Sequence, residues 1–145
     1  MHVIKIIVTI SPNPNGPTYP LMWSYAPAPE YPDPKLNGSY ITLQKPGLTQ
    51  IIYQLDSTSA QTYELIYANM APLTLKNAAT HQIMQVTCLG DSIVILDRNG
   101  AGSTGFTPFG LNLIARPIGD IHQLITSPDP GVDNDPPPPP PRTGP

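Results

Sequence analysis

Apolar side chains in this sequence recur mostly at every second position. His2, Ile4, Ile6, Val8 and Ile10 share one face of an extended segment, with Val3, Lys5, Ile7 and Thr9 on the other. That period is the period of a β-strand, whose side chains point alternately to opposite sides. The same reading predicts strands at Leu21 to Tyr25, Ser39 to Leu43, Thr49 to Asp56, and Thr62 to Tyr67. In the last of these, Tyr63, Leu65 and Tyr67 fall on one face. Further strands are expected at Ile83 to Leu89, Ser92 to Asp97, Phe109 to Ala115, and Asp120 to Ile125. Ser92 to Asp97 is apolar on both sides and rich in β-branched residues, which suits a strand inside a two-layer structure. Turn chemistry separates these runs: Ser11-Pro-Asn-Pro-Asn-Gly-Pro, Lys45-Pro-Gly, and the polar segment Asp56 to Gln61. A short helical turn is expected around Leu73 to Ala79.

The composition sharpens this picture. Of 21 prolines, eight lie between Pro12 and Pro34 and nine between Pro128 and Pro145. Proline cannot donate to a ladder, so the distribution marks one long loop, one tail, and a strand-rich middle. Charged residues are 12% of the chain, too few to line the wet faces of long amphipathic helices. The expected fold is all-β: a single antiparallel, immunoglobulin-like sandwich of about seven to nine strands over residues 1–127. Residues 128–145 are expected to form an acidic, then polyproline, disordered tail. Six consecutive prolines, Pro136 to Pro141, form a polyproline helix by themselves. That run is either a stiff end or a ligand for an aromatic groove.

Charge and sulfur exclude some functions. The net charge is −3, and the seven cations are scattered, so nucleic-acid binding is not expected. Cys88, the one cysteine, is expected to be a small buried hydrophobe in its strand. The apolar run from Met1 to Ile10 is too short to span a membrane and carries no cleavage site, so a cytoplasmic protein is expected.

Candidate chemistry is sparse. Gly100, Gly102 and Gly105 satisfy G-x-G-x-x-G, but no helix is expected after them to face a pyrophosphate. Gly90-Asp91-Ser92-Ile93 resembles the nucleophile block of the GDS(L) hydrolases, whose serine is served by an aspartate and a histidine near the carboxyl end. Asp120 and His122 could fill those roles, although their D-x-H spacing departs from the family's D-x-x-H. A tight hairpin turn through Gly90 and Asp91 explains the same residues without catalysis. Asp129, Asp133 and Asp135 offer oxygen ligands to calcium without the spacing of a calcium loop. The three histidines lack the spacing of a zinc site, and His2 is expected at a solvated strand end. Trp23, Tyr25 and Tyr31 lie among the prolines of the first long loop. They would either anchor the loop or form a stacking surface for a sugar ring or a proline helix.

Several features together resemble a known family. They are the amino-terminal strand, Ser92-Ile-Val-Ile-Leu-Asp97, the strand Phe109 to Leu113, and the ending Asp129-Pro-Gly-Val-Asp-Asn-Asp-Pro136. These are similar to the small bacterial DP-EP family, with a looser likeness to inclusion-body proteins of the AidA/PixA type. The resemblance covers about residues 2 to 136. It implies a compact β-sandwich and supplies no catalytic residue. The expectation is therefore a non-enzymatic protein without a cofactor, acting by protein binding or self-association. The alternatives are a small serine hydrolase using Ser92, and a carbohydrate-binding module using Trp23, Tyr25 and Tyr31.

Overall fold

The computed structural model describes residues 1–12, 21–31, 35–37, 40–43, 47–72, 83–98, 107–120, 122–128 and 131–134; for 35, 37, 40, 70–72, 83–84, 107–110 and 131–134 the backbone alone is described. Eleven strands and one helical turn occupy these residues. β1 (His2–Pro12), β2 (Leu21–Pro27), β5 (Thr49–Leu55), β7 (Ile83–Cys88) and β8 (Ser92–Asp97) build the first sheet, in the order β2-β1-β5-β8-β7. β3 (Lys35–Asn37), β4 (Tyr40–Leu43), β6 (Tyr63–Pro72), β9 (Thr107–Pro117), β10 (Ile125–Thr126) and β11 (Gly131–Asn134) build the second.

Alternation decides which face of each strand is buried. In β1, Ile4, Ile6, Val8 and Ile10 are buried and the residues between them are half-buried. In β5, Ile51, Tyr53 and Leu55 follow the same rule, as do Ile93 and Ile95 in β8. Their partners from the second sheet are Ile41, Leu43, Leu65, Ala68, Leu111, Leu113 and Ala115, which join them in one core. Each fully buried large side chain in such a core stabilises the fold by about 1.5–3 kcal/mol.

Two pairings depart from the antiparallel expectation: β1 runs parallel to β5, and β11 runs parallel to β4. Periodicity assigns a residue to a face and is blind to strand direction, so these pairs are invisible in the sequence. A second departure lies in β6. The register against β9 shifts between Leu65 and Tyr67, leaving Ile66 as an extra residue. Past this bulge the faces exchange, so that Ala68 is buried and Tyr67 is 51% exposed. Tyr67 therefore does not share a face with Leu65.

The third departure concerns the end of the chain. β6 occupies one edge of β9 along its length, so β10 and β11 must share the other edge. Thr126 opposes Ile114 and Gly131 opposes Gly110. The pairing thus advances by five residues on one strand and four on the other. β10 and β11 thus continue one another along this edge of β9 and are interrupted between Thr126 and Gly131, a stretch whose two prolines carry no backbone donors. Ser127, fully buried, bridges the break. Its N–H donates to the Leu113 carbonyl at 2.8 Å, and its Oγ accepts the Leu113 N–H at 2.8 Å. Asn112 Nδ2 donates to the Ser127 carbonyl at 2.7 Å. The second sheet therefore continues past residue 127, and the segment expected to begin the tail contributes a strand between β4 and β9. Residues 135–145, with the proline run, lie outside the described residues. So do the helical turn expected at Leu73 to Ala79 and the glycines 100, 102 and 105.

The polar segment after β5 is less loose than expected. Asp56 Oδ1 accepts the Ser59 N–H at 2.7 Å, which starts α1 (Ser59–Thr62). Ser59, buried, then ties α1 to β1: its Oγ accepts the Ile10 N–H at 2.9 Å and donates to the Ile10 carbonyl at 3.3 Å. Among the described residues, no helix is long and apolar enough to cross a membrane.

Candidate functional site

A broad concavity lies where β2, the edge of the first sheet, approaches the β6–β9 end of the second. It is a groove of about 740 Å³, within the size range of small-molecule pockets. Leu21, Met22 and Trp23 form one wall, and Tyr63 and Pro117 another. The connection from β9 to β10 closes it with Gln123, Leu124, Ile125 and Thr126, and Pro128 completes the rim. Leu124 is 61% exposed and Met22 44%, so much of this apolar surface faces solvent.

The local sequence explains the shape. Pro117 ends the ladder of β9, and Gly119 then turns the chain with φ +90°, a backbone region disfavoured for side chains with a Cβ. Asp120 Oδ1 accepts the His122 backbone N–H at 3.1 Å, holding a compact turn. The strand expected from Asp120 to Ile125 is consequently shortened to Ile125–Thr126. Residues 123 and 124 are left as irregular backbone over the groove.

One charged pair adjoins groove residues in the chain, Glu64 after Tyr63 and Arg116 before Pro117. Glu64 and Arg116 face each other across β6 and β9, and Arg116 Nε donates to Glu64 Oε1. Below, Tyr25 meets Tyr53 edge to face, with centroids 6.4 Å apart and planes at 83°. Tyr53 is fully buried, and its hydroxyl has no hydrogen-bond partner among the described residues. Burial, with a smaller contribution from Tyr25, pushes the Tyr53 phenol far above its ordinary range, so it stays protonated and cannot act as a base.

Trp23 and Tyr25 share the inward face of β2 and both pack against the core, with Trp23 also lining the groove, while Tyr31 is exposed beyond the turn at 29–30. Ser92 opens β8 opposite Gln54, and its carbonyl accepts the Leu89 N–H at 2.9 Å. It therefore sits on a hairpin strand closed by Gly90 (φ +86°), and no helix follows it. Asp120 and His122 are exposed on the β9–β10 connection. Their bond runs from the His122 backbone, which leaves the imidazole unoriented by the carboxylate. No hydrogen bond between described residues joins Ser92 to either.

Cys88 departs from its expected burial: it is exposed at the end of the edge strand β7, next to an exposed Leu89. Partial desolvation raises its thiol pKa, which disfavours the reactive thiolate. Of the calcium candidates, the side chains of Asp129, Asp133 and Asp135 lie outside the described residues. Among those described, no three carboxylate, imidazole or thiol groups gather as a metal site. Sequence reasoning found Trp23 but missed Tyr63, Pro117 and Leu124. They lie far apart in the chain, and none carries a motif.

No curated protein matches this chain. Among solved structures, the chain is similar to an inclusion body protein (PixA) from Burkholderia cenocepacia. The identity is 9%, the TM-score 0.41, and the match covers 91% of this chain and 92% of that one. The sequence profile of the DP-EP family matches residues 2–136, reaching from the first strand past β11, and the chain belongs to the DP-EP family.

Proposed function

We propose that the protein is a non-enzymatic, cytoplasmic binding protein that engages a protein partner or a second copy of itself through the Trp23–Tyr63 groove. The observation that carries this reading is the groove itself: an apolar concavity with two aromatic walls and an exposed apolar lip at Leu124. None of the groove's lining residues is charged, and Glu64 and Arg116, the chain neighbours of Tyr63 and Pro117, pair with each other, which supports recognition by packing over acid–base chemistry. The shared core supports a two-layer sandwich of immunoglobulin-like character. A sugar is the second candidate ligand, because polar Gln123 and Thr126 line the same groove as Trp23.

Trp23, the chain's single tryptophan, reports on the groove directly. Its emission is expected to shift saturably with proline-rich peptides and to ignore an oligosaccharide panel. A response to sugars alone would transfer the function to carbohydrate binding. Labelling by a fluorophosphonate that disappears in Ser92→Ala would contradict the non-enzymatic reading.

A further inference from the structure

The groove and the chain's own Pro136–Pro141 run match each other chemically. We propose that the groove takes the six-proline run of a second copy, joining chains head to tail; this rests on the groove being a binding surface. Six prolines pre-form a left-handed helix of three residues per turn that extends roughly 19 Å at about 3.1 Å per residue. Such a helix has no N–H groups and presents ring faces and bare carbonyls. A surface that holds it therefore needs aromatic walls to pack the rings and side-chain donors to meet the carbonyls. Trp23 and Tyr63 are walls that also carry a donor each, and Gln123 adds an amide.

Chain length excludes the run of one copy from lying along its own groove. The chain leaves β11 at Asn134, opposite Thr107, while Tyr63 and Pro117 of the groove pair at the other end of β9. At about 3.3 Å per residue, those ends are roughly 33 Å apart. The last proline of the run follows Asn134 by seven residues, a reach of no more than about 25 Å, which falls short of the aromatic wall. A second copy has no such constraint.

Charge supports the same docking. Asp120, exposed, donates its N–H to the Pro117 carbonyl, which places a carboxylate next to the groove wall. Arg142 directly follows the proline run and supplies the opposite charge. Because the two surfaces differ, a pair joined by one such contact keeps one groove and one tail unfilled. Association is then heterologous, and it grows into rings or open chains instead of stopping at a closed pair.

The test uses a full-length chain in which residues 136–141 are replaced by alternating Gly and Ser. A fluorescently labelled peptide of residues 135–145 is titrated into it and read by anisotropy. Sedimentation velocity follows the mass of the unaltered chain over a wide concentration range. Expected are saturable peptide binding, a loss of about tenfold or more on introducing the exposed charge of Leu124→Glu, and a mass that rises with concentration only when the proline run is intact. A Gly/Ser variant that associates like the unaltered chain, with no peptide binding, would overturn the proposal. If Leu124→Glu still abolished that association, the groove would stand and only the proline occupant would fall. If Leu124→Glu and Tyr63→Ala changed neither quantity, both readings would fall. Peptide binding by a chain that stays monomeric throughout would overturn the second copy in favour of a foreign proline-rich partner.

Discussion

Replacing Ser127 with alanine removes one oxygen, and with it the acceptor for the Leu113 N–H at 2.8 Å. The donor cannot turn to water, because both residues are fully buried. The cavity left by a hydroxyl is small, so the cost is that of a buried donor left unsatisfied, about 1–3 kcal/mol. For a chain of this length, that lowers the melting temperature by roughly 3–10 °C. Urea unfolding followed by circular dichroism measures the change, with exposed Thr126→Ala as the control, expected within about 0.5 kcal/mol of the parent. Asn112→Ala, which removes the donor to the Ser127 carbonyl, should couple with Ser127→Ala by about 0.5 kcal/mol or more in a double-mutant cycle. A Ser127→Ala chain as stable as the parent would refute the broken-strand description of residues 125–134.

Two further predictions concern the turn after β5. Ser59→Ala leaves the Ile10 N–H without its 2.9 Å acceptor at a buried site, and should cost about 1–3 kcal/mol by chemical denaturation. Hydrogen bonding by Ser59 chiefly lowers the pKa of Asp56, with partial burial opposing it and Thr9 adding to the lowering. A carboxylate depressed in the folded state stabilises above its unfolded pKa, near 3.8, and loses that contribution as pH falls through the folded value. Asp56→Asn should therefore be less stable than the parent at pH 7, with the gap closing below about pH 4; an equal gap at pH 7 and pH 3 would contradict the assignment.

Period-two alternation carried most of the fold to the surface of the sequence. β1, β5 and β8 could be placed to within about a residue or two because each buries one face and leaves the other half-buried. What alternation could not reveal was anything that breaks it or ignores it. The extra residue at Ile66 reverses the faces of β6 without a glycine or proline to announce it. Strand direction leaves no trace in side-chain pattern, so the parallel pairs β1/β5 and β4/β11 were unreadable. β11 was hidden for a different reason. Prolines at 128 and 130 argue against a strand, and nothing in the pattern announces that Ser127 offers its side chain to the Leu113 N–H just before pairing resumes at Gly131. Cys88 was misjudged because Val86 on the same face does pack on the core, whereas the strand end runs past the cover. In the groove, Trp23 stood out as a lone indole among prolines. Tyr63, Pro117 and Leu124 meet it only through the pairing of β6 with β9 and the turn at Gly119.

The most direct test of the architecture is a comparison of two truncated chains, one ending at residue 134 and one at residue 127. β11 pairs four residues with β4 and four with β9, so its removal opens the middle of the second sheet. The chain ending at 134 is expected to be more stable than the chain ending at 127 by about 3 kcal/mol or more, at roughly 1 kcal/mol per lost buried hydrogen bond. The shorter chain should also lose cooperative unfolding. Superimposable urea curves for the two would show that residues 128–134 are not part of the sheet, and would contradict a second layer held together through β11.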